Sequence, residues 1–293
     1  MHSVRPSHPR SLYLWLIMLV AILLGSGCSL MASSAGNSLA ASVSYGIQNA
    51  DDPETVRQGL PAYLIIVDGL IHQSPDNIAL LQTAAALNSA YAGQFVSEPS
   101  RAQRISEKAL RYGLHALCQA RPSTCGIRSM PIEAFQALIE QIGEDEVPGF
   151  YALGSAWAGW IQANRGDWKA IAELNRVSAI MQRVVVLDES YQQGAAHLYL
   201  GVLATLLPPA MGGRPDEGKM HFEQAIVLSQ GRNLMAKVLY ARHYARLMFE
   251  RPLHDKLLIE VLESDPRHPG LTLNNVLAQQ LAQPLLADAD DYF

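Results

Sequence analysis

The chain has 293 residues, 49% of them hydrophobic and 17% charged, with 22 Lys and Arg against 27 Asp and Glu for a net charge of −5. That balance speaks against nucleic acid as a partner, because gripping phosphate takes a concentrated basic face. The length suits one large domain or a repeat array.

At the N-terminus, His2, Arg5, His8 and Arg10 precede an apolar run from Leu12 to Leu24, and no acidic residue comes before Cys28. The run is about 13 residues long, too short to cross a hydrocarbon core of ~30 Å as a helix. A basic start, a short apolar middle and then Gly25-Ser26-Gly27 read as a signal peptide over residues 1–27. The small residues lead into Cys28 and resemble a bacterial lipobox, except that the Leu usual three places before the Cys stands one further back, at Leu24. Lipidation at Cys28 is the expectation, with ordinary cleavage after Ala35 or Ala40 as the alternative. Ser29 in place of Asp points to the outer membrane, the chain facing the periplasm. Loss of residues 1–27 removes Arg5 and Arg10 and leaves 20 basic against 27 acidic side chains, a net of −7. Residues 28–50, rich in Ser, Ala and Gly, read as a lipidated Cys followed by a flexible tether. Residues 51–293 then form a single domain, with no later stretch of transmembrane length.

From Pro53 onward the pattern is helical. Asp52-Pro53-Glu54 predicts a helix start, a capping acid followed by Pro in the first turn. Similar punctuation recurs at Ser74-Pro75-Asp76-Asn77, Glu98-Pro99-Ser100, Met130-Pro131, Val147-Pro148, Arg214-Pro215-Asp216, Arg251-Pro252 and Asp265-Pro266. No segment sustains period-two alternation, so a sheet is not expected. The reading is all-α, with about eleven helices. Cys118 and Cys125 flank what reads as a helix end and a turn. In an oxidising compartment they can close a small disulfide loop, or they can remain free thiols; their spacing is wrong for CxxC chemistry.

The helices pair in a way that matches degenerate tetratricopeptide-like repeats, units of ~34 residues in which small and large side chains interlock. Leu87-Asn88-Tyr91 with Ala102-Ser106-Ala109 fits loosely, as does Leu153-Gly154-Trp157 with Ala170-Leu174-Val177. Leu200-Gly201-Ala204 with Gly218-Phe222-Ala225 holds the best second half, and Tyr240-Ala241-Tyr244 with Leu253-Leu257-Glu260 is a fourth. The link Leu206-Leu207-Pro208-Pro209-Ala210-Met211-Gly212-Gly213 is longer than the motif needs. Its prolines end a helix and its glycines open backbone conformations closed to other residues. Such insertions map to one face, often the binding face, though a plain connector would look the same. Pro208, Pro209, Gly212 and Gly213 are therefore candidate docking residues.

The segment His197-Leu198-Tyr199-Leu200-Gly201, the Leu206-to-Gly213 loop, His221-Phe222-Glu223-Gln224-Ala225-Ile226 and Leu273-Asn274-Asn275-Val276-Leu277-Ala278 together resemble the TatT family. These are accessory lipoproteins of tripartite ATP-independent periplasmic (TRAP) transporters. Leu285-Leu286, the acidic stretch Asp288 to Asp291 and terminal Phe293 are similar to that family's ending. The likeness is sharpest over 191–293 and looser over 52–164. It implies a bundle of degenerate repeats with a cavity through each subunit, a homotrimer, docking of the transporter's periplasmic substrate-binding protein, and small organic acids, some of them hydrophobic, as ligands. Cys118 and Cys125 have no place in the family pattern.

Residues 195–207 are apolar apart from His197, Tyr199 and Thr205. His197 and Tyr199 stand two apart, roughly 200° around a helix, so one can face a cavity while the other faces a neighbouring helix. A mostly apolar pocket with a few polar groups suits a small organic ligand; an ordinary core histidine is the plainer reading. Arg242, if buried, would grip a carboxylate through its fork of donors; on the surface it would not. Asn274-Asn275 caps the last helix or reaches across to another. Trp157, Trp160 and Trp168 around the turn at Asn164-Arg165-Gly166-Asp167 are packing residues, or a docking mark if exposed. Glu144-Asp145-Glu146 reads as a solvated turn. No glycine-rich phosphate loop, GxSxG elbow or HExxH pair is present, and the nine histidines do not fall at metal-ligand spacings, so neither catalysis nor a cofactor is expected. The alternative to solute uptake is a repeat scaffold for envelope assembly with no small ligand.

Overall fold

A computed structural model describes residue 38 and residues 40–293; the signal peptide, Cys28 and the tether up to residue 37 lie outside them. Among the described residues there is no strand, and the chain is an all-α bundle. The elements, in order, are α1 (40–48), α2 (Pro53–Gln73), α3 (Ile78–Phe95), α4 (Pro99–Ala120), α5 (Ile132–Glu140), α6 (Val147–Ala163), α7 (Trp168–Ala172), α8 (Leu174–Leu187), α9 (Ala195–Ala204), α10 (Pro215–Leu228), α11 (Leu234–Leu239), α12 (Arg251–Glu263), α13 (Thr272–Ala287) and α14 (Ala289–Tyr292). A π-helical turn, Tyr240–Ala245, extends α11. From Pro53 there are thirteen helices, and the two beyond the expected eleven are the single turns α7 and α14.

The starts follow local chemistry. Asp52 Oδ1 accepts from Glu54 N at 2.9 Å with Pro53 in the first turn, Asn77 Oδ1 accepts from Leu80 N at 3.1 Å, and Glu98 Oε2 accepts from Arg101 N at 3.1 Å. Each satisfies a backbone donor that the first helical turn leaves without a partner. Asp265-Pro266 closes a helix and opens no new one: Asp265 Oδ1 takes Arg267 N at 3.0 Å in a turn, and α13 begins only at Thr272.

The flexible tether expected through residue 50 is corrected here. Ala40 is buried, and Val43, Ile47 and Ala50 pack on the cluster made by α2 and α3. These positions recur three and four apart, so they share one helix face; the small residues between them gave the stretch a linker's composition. Three large apolar clusters run in chain order, the first mainly on α1–α3, the second on α4–α9 and the third on α10–α13, and a small fourth joins Ala85, Ala109 and Ala156.

Neighbouring helices interlock where glycine meets a large side chain. On α9 a Cβ at Gly201 would lie 2.8 Å from the Phe222 ring, and on α10 a Cβ at Gly218 would lie 2.5 Å from Thr205 Cγ2 and 3.1 Å from Gly201 O. The repeat pairing of these two segments is thus a close antiparallel crossing. Gly154 on α6 makes the corresponding approach to Ile180 and Met181 of α8. In the second cluster Trp157 Nε1 donates to Glu173 Oε2 at 2.6 Å, and Arg128 grips the same carboxylate at 2.9 and 3.1 Å while stacking 4.0 Å above the Trp160 ring. The array also meets itself. Gly270 N donates to Asn49 Oδ1 at 2.8 Å, Arg267 lies 3.9 Å from Asp51, and Leu273 packs on the first cluster, so the start of α13 abuts α1 and α2.

Candidate functional site

The first turn of α9 follows a run of left-handed backbone at Gln192 (φ 50°), Gln193 (φ 59°) and Gly194 (φ 79°). For non-glycine residues this conformation costs on the order of 1 kcal/mol or more each. The turn delivers His197, buried to 4% exposure, against α10. His197 Nδ1 is 2.8 Å from His221 Nδ1, and the rings are tilted with centroids 5.1 Å apart. One of the two nitrogens therefore donates to the other. His197 Nε2, on the far side of the ring, has Glu189 Oε1 3.3 Å away but no aligned hydrogen-bond partner.

Burial pushes the His197 imidazolium to a lower pKa, with Glu189 opposing the shift; burial does the same to His221, reinforced by the charge His197 would carry. Among the described residues no three His, Cys, Asp or Glu side chains are grouped to hold a metal. The arrangement is an imidazole pair joining α9 to α10.

Tyr199 points the other way, as the two-residue spacing predicts. It packs edge-on to Tyr151 of α6 at 6.2 Å, and Tyr151 meets Tyr191 at 5.2 Å. Burial holds the phenols of Tyr151 and Tyr199 above their ordinary pKa. Arg242 lies in the π-helical turn and is exposed, so it does not grip a ligand in a buried pocket. Its neighbour His243 is half-buried, and burial followed by the Arg242 charge pulls its pKa down to about 4. The three cavity candidates are not brought together: His197 faces α10, Tyr199 faces α6 and Arg242 faces solvent. An open cleft of about 500 Å³ lies between α4 and α6, lined by Gln103, Arg104, Glu107, Arg111, Trp160 and Asn164.

The long α9–α10 link is an ordered loop. Met211 N and Gly213 N donate to Pro208 O, Gly212 N donates to Pro209 O, and Arg214 N closes the loop on Ala204 O at 2.8 Å. Gly212 has φ 89°, and a Cβ at Gly213 would come 1.7 Å from Leu207 O, so both positions need glycine. The fold thereby lifts Leu206, Leu207 and Met211 (67% exposed) into solvent, and α10 continues outward with exposed Met220 and Val227. Pro208 is half-buried and Pro209 exposed.

Cys118 and Cys125 are joined in a disulfide with Cα atoms 4.6 Å apart, across the turn after α4. Asn275 reaches across to α11: its Oδ1 accepts from Leu234 N at 2.9 Å, and its Nδ2 donates to Arg232 O and Pro266 O. Trp157 and Trp160 are buried and Trp168 is exposed. Sequence reasoning missed His221 and Glu189 as partners of His197. Repeat spacing pairs α9 with α10, but the contact between His197 and His221 comes only from the register of the fold.

A family model described as TRAP transporter T-component matches residues 49–293. Comparison with the curated proteins finds no match.

Proposed function

This chain belongs to the TRAP transporter T-component family, and on that premise we propose that it docks the transporter's periplasmic substrate-binding protein from the periplasmic side of the outer membrane. In this reading a lipid on Cys28 anchors it, and copies assemble as a homotrimer that presents several docking sites to receptors carrying small organic acids. Accessory membership in a TRAP system is the family's property; the anchor, the docking and the ligand are the proposal. One observation carries the docking part. The Leu206-to-Gly213 loop is held by four backbone hydrogen bonds and two obligatory glycines, yet it exposes apolar side chains. An ordered loop that spends apolar surface on solvent is a feature of recognition sites.

The test is co-purification of the mature protein with its cognate binding protein, for the wild type and for Leu207→Asp with Met211→Asp. Docking through the loop requires the pair of charges to abolish capture while the melting temperature holds. Unchanged capture would remove the loop from the proposal. The runner-up, a scaffold with no small ligand, is favoured by the engagement of His197 and Tyr199 in side-chain packing. Ligand titration of the purified trimer separates the two.

A further inference from the structure

His197 and His221 meet inside the α9–α10 crossing, where the 2.8 Å between their Nδ1 atoms admits a single hydrogen. A neutral imidazole carries its proton on one nitrogen and a lone pair on the other. Which nitrogen holds the proton is set by what the other one faces. His197 Nε2 is shut off from water and has Glu189 Oε1 3.3 Å away. A lone pair there would oppose the carboxylate, whereas an N–H would be drawn to it. The Glu189 side chain is half exposed, so it is free to swing into line. His197 accordingly takes the Nε2–H form, its Nδ1 accepts, and His221 must donate from Nδ1. The contacts run in one direction, from His221 to His197 to Glu189.

The surrounding charges leave that order intact. Beside His221, Arg214 and Glu217 are paired with each other at 2.7 Å. Among the described residues α6, α8 and α11 bring no ionised group to either ring. Glu189, on the turn before α9, is thus the unpaired carboxylate that acts on the pair.

The two rings differ in where a further proton can go. His221 is half-buried, and protonation of its bare Nε2 keeps the Nδ1 contact, now donated by a cation. His197 offers only the Nδ1 that is already accepting. A proton there sets N–H against N–H and leaves two positive rings with centroids 5.1 Å apart. Gly201 against Phe222 gives the crossing no slack to absorb this, so the contact must part. The left-handed run Gln192, Gln193 and Gly194 just before α9 is the place where the chain can bend.

We propose that this relay is an acid-opened clasp on the α9–α10 hairpin, which holds through the first added proton and parts with the second. The Leu206-to-Gly213 loop closes through Arg214 N on Ala204 O, between the ends of the same two helices, so its stem loosens when the clasp opens. The inference rests on the histidine contact and not on docking. Loss or retention of capture in the loop variants leaves it standing.

The test uses the full mature protein. Imidazole nitrogen shifts, read by NMR at pH 7.5, report the tautomers; amide exchange at pH 7.5 and pH 5.0, corrected for intrinsic rates, reports opening. The expected tautomers are Nε2–H for His197 and Nδ1–H for His221. Opening of the Ala195–Ala204 amides should rise at least tenfold at pH 5.0 while those of α3 hold. A released imidazole with the ordinary pKa of ~6.5 supplies a factor of roughly 30 at that pH. His197→Gln can accept from His221 and donate to Glu189 but takes up no proton, so its α9 amides should stay protected in acid. If that variant does not fold, the wild-type tautomers decide, and Nδ1–H on His197 overturns the proposal. So does equal opening at the two pH values, or acid opening of His197→Gln to the wild-type extent.

Discussion

The crossing of α9 and α10 can be tested by placing the same small change at two glycines. Gly59 lies in the middle of α2, exposed, with nothing within 4 Å of the Cβ that alanine would add. Relieving glycine's disadvantage in a helix should stabilise Gly59→Ala by about 1 kcal/mol. Gly201→Ala gains the same propensity, but its methyl would sit 2.8–2.9 Å from three carbons of the Phe222 ring. That ring has no room to retreat, being fully buried and stacked on Tyr240 at 5.6 Å. Overpacking of this kind costs about 1–3 kcal/mol, so the net effect is a loss of about 1 kcal/mol. For a domain of this size each kcal/mol moves the melting temperature by roughly 2–4 °C. Calorimetric melting should therefore place Gly59→Ala roughly 3 °C above the wild type and Gly201→Ala roughly 3 °C below it. Phe222→Leu, which removes the ring edge, should cost less in the Gly201→Ala background than alone, by about 1 kcal/mol in a double-mutant cycle. If Gly201→Ala melts as high as Gly59→Ala, the close crossing is not the interlock described.

Other expectations follow from single contacts. Reducing the Cys118–Cys125 bridge, or replacing both residues by Ser, should lower stability by about 2 kcal/mol for so short a closed loop, read by denaturant unfolding with and without dithiothreitol; an identical midpoint in both would deny the bond a role. His197, His221 and His243 all have folded-state pKa values below that of the unfolded chain. The unfolded state therefore binds more protons, and stability is full above about pH 6.5 and lost as pH falls toward 4. His243→Asn should flatten that decline by about 2 kcal/mol, after discount for partial exposure, and an unaltered slope in the variant's pH–stability curve would contradict the assignment. Asn275→Ala leaves Leu234 N, Arg232 O and Pro266 O without their partner, which should cost roughly 3 kcal/mol in urea unfolding; a loss within 1 kcal/mol would show that water replaces the carboxamide.

Much of the architecture was legible because helix boundaries are local chemistry. Asp52-Pro53 and Glu98-Pro99 start helices through their own side chains and rings, whatever the rest of the chain does. Pro61 and Pro284 show the limit of that logic, since both lie inside helices. The Gly201–Phe222 contact was also readable, since small and large residues at repeat spacing meet by geometry. Composition misled at α1, where alanine and serine conceal a face of Ala40, Val43 and Ile47. The groove between α4 and α6 was hidden for a different reason. Its arginines look like ordinary surface charge, and only the fold brings them beside Trp160 and Asn164 at the end of α6. Likewise the spacing of His197 and Tyr199 gave their divergence, but only the antiparallel register of α10 supplied His221.

An open row of hairpins frays from either end, because its terminal units have one neighbour each. The carboxamide of Asn49 on Gly270, with Leu273 seated beside α1 and α2, gives this chain a clasp in place of two loose ends. Unzipping must then begin by breaking a contact that spans most of the polypeptide. Amide protons of α2 and α13 should accordingly exchange at a common slow rate. If Cys28 carries the proposed lipid, tension from that anchor would be shared with the far end of the sequence and not concentrated on the first helix alone.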